Sequence, residues 1–96
     1  MESVFDDCLA CNQQMFIAGR YEVAYDYLLA ACELARSNPQ QLAQVEQLAS
    51  QECQWLEQNT PSAPRFSPQV RQHRHLLSSF RSIWHLAKSA AAALSA

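Results

Sequence analysis

Apolar residues recur along this chain at the three- and four-residue spacing of amphipathic helices. Val4, Cys8, Cys11, Met15 and Ala18 form the first such stripe, and Ser3 followed by Asp6 precedes it as a capping-box-like start. A helix is therefore expected over residues 4–18. Gly19 ends it, because a helix terminus favours a residue that tolerates the left-handed conformation. A second stripe of Ala24, Tyr25, Leu28, Ala31, Cys32 and Ala35 predicts a helix over 21–37. Two or three residues connect the pair, which makes the two helices antiparallel neighbours.

Asn38-Pro39 with Gln41 has the form of a helix start: a cap residue, proline at the first helical position, and an amide three residues after the cap. Leu42, Val45, Leu48, Ala49, Trp55 and Leu56 carry that third helix to about residue 59. The segment 60–66, with Pro61 and Pro64, is a stiff, extended linker. Ser67-Pro68 then opens a fourth helix by the same device as Asn38-Pro39.

The fourth helix divides into two faces. Leu76, Leu77, Phe80, Ile83, Trp84, Ala87, Ala91 and Leu94 cluster on one side together with His73, and Arg71, Arg74, His75, Arg81, His85 and Lys88 lie on roughly the other. It would be about 40 Å long against about 25 Å for each hairpin helix. An overhang is expected at residues 89–96, which carry no charge. The pattern as a whole predicts an all-α, four-helix domain: an antiparallel hairpin, a third helix beside it, and a long amphipathic C-terminal helix crossing over.

Within the hairpin, the run Gly19-Arg20-Tyr21-Glu22-Val23-Ala24, followed by Leu28 and Ala31, resembles the tetratricopeptide repeat pattern. In that family the glycine makes the turn, the aromatic two residues later packs across it, and two small alanines line the helix contact. The resemblance covers about 30 residues and is carried by the second helix. In the first helix Cys8, Cys11 and Asn12 stand where the family has tryptophan, leucine and glycine, and the closing proline is displaced to Pro39. It implies a single helical hairpin of tetratricopeptide type. A peptide-binding superhelix would need several repeats, and the chain carries no second copy.

Composition supports the helical reading. The chain has 96 residues, enough for one domain with a modest core, and about half of them are apolar. A single glycine disfavours barrels, sandwiches and phosphate-cradling loops, all of which need positive φ. No stretch of about 20 apolar residues is present to span a membrane. The N-terminus lacks a basic-then-apolar secretory signal, so a cytoplasmic location is expected. The four cysteines fall inside apolar helical patterns, where reduced core thiols are expected.

Charge changes the picture more than composition does. The formal net charge of −2 conceals an asymmetry. Residues 1–59 hold all nine acidic side chains against Arg20 and Arg36, a balance of −7, whereas 60–96 hold Arg65, Arg71, Arg74, Arg81 and Lys88 with no acid, a balance of +5. The chain is thus organised as an acidic three-helix region (1–59), a proline-rich linker (60–67) and a basic amphipathic helix (68–96) packing on the same domain. Such asymmetry suits either an internal match or a polyanionic partner for the second half.

Catalytic and metal chemistry find little support. Cys8 and Cys11 share a helix face, but zinc would need two more ligands, and His73 and His75 point to different sides of their helix. Arg71 with His75, and Arg81 with His85, have the residue types of an RNA-cleaving site but no carboxylate in that helix to orient the imidazole. Asp6 and Asp7 are adjacent and diverge. The expectation is therefore a non-enzymatic chain without cofactor or metal. Such a chain would be a small adaptor or regulatory subunit, expected to bind an acidic protein surface through Arg71, Arg74, Arg81, His85 and Lys88. Self-association through the C-terminal helix is a further expected partner mode, and nucleic acid is the alternative ligand for the same face. Lying on a membrane competes with closing the core, because the apolar face of the helix serves only once.

Overall fold

The computed structural model describes residues 3–95. Four α-helices follow one another: α1 (Val4–Ile17), α2 (Tyr21–Leu34), α3 (Pro39–Gln58) and α4 (Pro68–Ser95). The fold is all-α, as the periodicity predicts. α1 pairs with α2 and α3 pairs with α4, and the two hairpins meet mainly through α2, which touches both α3 and α4. The Cα envelope measures 44 × 31 × 16 Å, thin enough for two layers of helices.

The helix boundaries have local causes. Ser3 Oγ accepts from Asp6 N–H at 3.1 Å, with Asp6 and Asp7 in the first turn, where carboxylates complement the helix dipole. At the other end of α1, Gly19 adopts φ +78°. The Gly19 N–H donates to Phe16 O at 3.0 Å and the Arg20 N–H to Met15 O at 2.9 Å, the two bonds of a Schellman ending. Asn38 Oδ1 accepts from both Gln40 and Gln41 N–H at 3.1 Å, with Pro39 at the first position of α3. Ser67 Oγ takes the Val70 N–H at 3.3 Å to open α4.

Helix ends leave carbonyls without helical partners. At the end of α3 three side chains supply donors: Asn59 Nδ2 to Trp55 O at 2.8 Å, Thr60 Oγ1 to Glu57 O at 3.2 Å, and His73 Nε2 to Leu56 O at 2.7 Å. The His73 bond reaches across from α4. It places this histidine in a structural role on the apolar side of its helix.

Leu28, Leu42, Val45, Leu56, Phe80 and Ile83 are fully buried, with Ala24, Ala31, Ala35, Ala49 and Ala87 between them allowing close helix approach. The Phe80 ring stands 5.7 Å from Phe16 and 6.0 Å from Tyr25, so one α4 side chain joins both helices of the first hairpin.

Three features differ from the sequence expectation. α2 ends at Leu34, with Ala35 as its cap, short of residue 37. The α1 stripe is only partly as expected: Val4 is 67% exposed and Cys8 and Met15 are half-buried against the core, while Phe5 and Asn12 on the neighbouring row are buried. The expected overhang at 89–96 is only partial, and Ala96 lies outside the described residues. Ala90 and Ala91 are half-buried against the core, and Leu94 lines a hollow with Cys32 and Leu42. Alanine is small enough to let this end of α4 run closely past α2 and α3.

Candidate functional site

Burial of Phe80, Ile83 and Ala87 turns the opposite side of α4 to solvent. Arg71, Arg74, His75, Arg81, His85 and Lys88 are all exposed there. Arg81 differs from the others because its Nη2 lies 2.6 Å from Glu57 Oε1, an ion pair linking α4 to α3. Among the described residues Arg71, Arg74 and Lys88 have no carboxylate within 4 Å, and the only other ion pair is Arg36–Glu33 at 3.8 Å. His85 stacks on Trp84, with ring centroids 5.5 Å apart and planes 14° from parallel. The face therefore displays positive charge that the fold itself leaves largely uncompensated.

A second polar feature lies inside the molecule. Asn12 and Glu52 are the two buried polar residues of the core among the described residues. Asn12 Nδ2 donates to Ala24 O at 2.8 Å and to Glu52 Oε1 at 3.1 Å, while its Oδ1 is buried without a donor among the described residues. Burial pushes the Glu52 carboxyl up to about 7, an effect that the Asn12 hydrogen bond partly offsets. Beside this pair opens a cavity of about 390 Å³ lined by Phe16, Ile17, Tyr21, Gln51, Glu52 and Trp55.

Neither residue gains a functional role from the sequence alone, although the pattern carries a signal for both. Asn12 lies seven residues after Phe5 and four before Phe16, and Glu52 lies seven after Val45 and four before Leu56. Each is a polar residue on the buried stripe of its own helix, where burial demands a partner.

The cysteines are free thiols, and Cys8, Cys32 and Cys53 pack in or against the core. Burial pushes Cys53 up to about 11. Cys8 is raised by burial, then by Cys11 and Asp7, and Cys32 is raised by burial and Glu33. Thiols shifted this way stay protonated at neutral pH and are poor nucleophiles and metal ligands. Among the described residues no three His, Cys, Asp or Glu side chains converge as a metal site would require. No helix among them is long and apolar enough to cross a membrane.

Comparison with protein-family models, with curated proteins and with solved structures finds no match to the chain.

Proposed function

We propose that this chain is a non-catalytic interaction module, an adaptor or regulatory subunit, whose partner surface is the basic outer face of α4. The observation that carries this reading is the set Arg71, Arg74 and Lys88: three exposed cations on one helix, without carboxylate neighbours among the described residues. A helix anchored in the core by Phe80 and Ile83 presents these charges on a rigid frame. An acidic protein surface is the complement, with His85 at the same face and Arg81 contributing less because Glu57 shares its charge. The α1–α2 pair is read as a hairpin of tetratricopeptide type. In support, Tyr21 packs on Phe16 across the Gly19 turn at 5.0 Å, and Ala24 and Ala31 are fully buried. One hairpin makes no superhelical groove, so the partner surface is assigned to α4.

The test compares the native chain with an Arg71→Glu, Arg74→Glu, Lys88→Glu variant in a capture experiment from nuclease-treated lysate of the source cell. Loss of an acidic protein from the variant supports the proposal. Nucleic-acid binding is the rival use of the same charges. Affinity for a short duplex whose logarithm falls with log salt by about 0.9 per phosphate contact would sink the protein-partner reading. Self-association is a further proposal, motivated by Leu86 and Leu94, which remain exposed beside the hollow at the end of α4. A molar mass by light scattering that stays monomeric at high concentration rejects it.

A further inference from the structure

The cavity beside Asn12 and Glu52 lies apart from the α4 face and has the opposite charge character. Three rings wall it: Phe16 near the end of α1, Tyr21 at the start of α2 and Trp55 near the end of α3. Phe16 stands 5.0 Å from Tyr21 and 5.5 Å from Trp55, and Tyr21 stands 5.8 Å from Trp55. Glu52 is the one charged residue of the lining and is only 5% exposed. One of its carboxylate oxygens takes the Asn12 amide, and no group among the described residues donates to the other. Asn12 Oδ1, in the same cluster, also lacks a donor.

In the Asn12–Glu52 cluster acceptors therefore outnumber donors, and the cavity wall holds no positive charge. An anion would meet the carboxylate and the negative faces of the rings. A purely apolar ligand would seal Glu52 from water without giving it a partner. One carboxylate is too few for a divalent metal. What fits is a cation on an apolar stem, with the stem against the rings and the head on the carboxylate.

We propose that this cavity receives a single lysine or arginine side chain from another polypeptide, held by Phe16, Tyr21 and Trp55 and ion-paired with Glu52. A polypeptide source is favoured over a free amine by the rim. Ile17 is 86% exposed and Trp55 is 42% exposed, so apolar surface extends beyond what a small amine would cover. Every lining residue belongs to the segment 1–59, whose balance of −7 favours the approach of a basic segment.

The experiment follows the Trp55 indole and Gln51 amide signals by ¹⁵N–¹H correlation spectroscopy at pH 8. The probes are a capped Gly-Lys-Gly peptide, the same peptide acetylated on the lysine Nζ, and n-butylammonium. Saturating shifts with the charged peptide, absent with its acetylated form, are expected. Glu52→Gln keeps the shape of the side chain and should weaken binding by roughly tenfold or more. Trp55→Leu should weaken it by about threefold or more, with Trp55→Phe as the milder change if the first variant unfolds. Equal response to the acetylated peptide, or undiminished binding by folded Glu52→Gln, overturns the cation site. Tighter binding of n-butylammonium than of the lysyl peptide overturns the polypeptide source. Because Arg71, Arg74 and Lys88 are untouched by these variants, failure here leaves the α4 reading standing, and the reverse holds as well.

Discussion

Asn12 on α1 donates to the Glu52 carboxylate on α3 at 3.1 Å, across forty positions of sequence, and with its other amide hydrogen it holds Ala24 O on α2 at 2.8 Å. One side chain thus links three helices inside an otherwise apolar core. The cluster is incomplete, because acceptors outnumber donors: Asn12 Oδ1 is buried with none. An ionised Glu52 makes that imbalance worse and a protonated one relieves it, so the cluster ties stability to pH.

The sign follows from the direction of the shift. Glu52 is raised from its ordinary 4.5 to about 7 in the folded chain, chiefly by burial. Between those values the unfolded chain has released this proton while the folded chain still holds it, so the folded state binds more protons and stability falls as pH rises. The loss begins above about pH 4.5, is complete above about 7, and amounts to up to about 3 kcal/mol. Urea unfolding at pH 5 and pH 8 measures it. Glu52→Gln should flatten this part of the profile and be the more stable protein at pH 8.

Removing Asn12 should hurt through its partner. Asn12→Leu removes the one donor that Glu52 has among the described residues and should cost about 1–3 kcal/mol at pH 8. The cost should shrink at pH 5, where Glu52 is neutral. Pairing Asn12→Leu with Glu52→Met replaces both polar groups, so the double variant should recover most of the loss at pH 8. Denaturation midpoints of the two single variants and the double variant at both pH values decide it.

Gly19 should tolerate replacement according to backbone conformation alone. A Cβ at this position would meet nothing within 4 Å, but φ is +78°. Gly19→Ala should therefore lower stability by about 1–2 kcal/mol, and Gly19→Asn by less, since asparagine visits the left-handed region more readily. Thermal midpoints of the two variants should rank in that order.

Local signals made the helices legible before any packing was known. Gly19, Asn38-Pro39 and Ser67-Pro68 each mark a boundary where the structure has one, because caps depend on neighbours only a few residues away. The α2 stripe was legible for a related reason: small and apolar residues at helical spacing leave one face to bury. The α1 stripe is less legible because its most buried row runs from Phe5 through the polar Asn12 to the half-buried Phe16, while the apolar row from Val4 runs partly outside. Glu52 likewise lies on the buried stripe of α3, but its partner Asn12 is forty residues away, beyond the reach of local patterning. The basic side of α4 could be read from charge spacing, but the Arg81–Glu57 pair could not, because it depends on how α3 and α4 align.

Phe80 should be the most sensitive position of α4. It is fully buried and stacks edge-on against Phe16 of α1 while meeting Tyr25 of α2. Phe80→Ala removes the ring that α4 inserts into the first hairpin and should cost about 3–5 kcal/mol. A domain of this size has a total stability of only about 5–14 kcal/mol, so the variant should be marginal. Phe80→Leu should lose distinctly less. Chemical denaturation of both variants, with equal slopes confirming the same unfolding transition, checks the ranking.

The cations of α4 should separate into two groups by their effect on stability. Arg71, Arg74 and Lys88 are exposed and have no carboxylate within ion-pair distance among the described residues, so reversing them to glutamate should change stability by less than about 0.5 kcal/mol each. Arg81 touches Glu57 at 2.6 Å, with both side chains about half exposed. Solvent screens such a pair, and Arg81→Ala should cost about 0.2–1 kcal/mol. Arg81→Glu faces Glu57 with like charge and should cost more, whereas the exchange Arg81→Glu with Glu57→Arg should restore most of the loss. Urea midpoints at low and at high salt provide the measurement, and the Arg81 effects should shrink with added salt. If instead the Arg71, Arg74 and Lys88 reversals destabilise the fold as much as Arg81→Glu does, those charges already serve the domain internally and cannot be reserved for a partner.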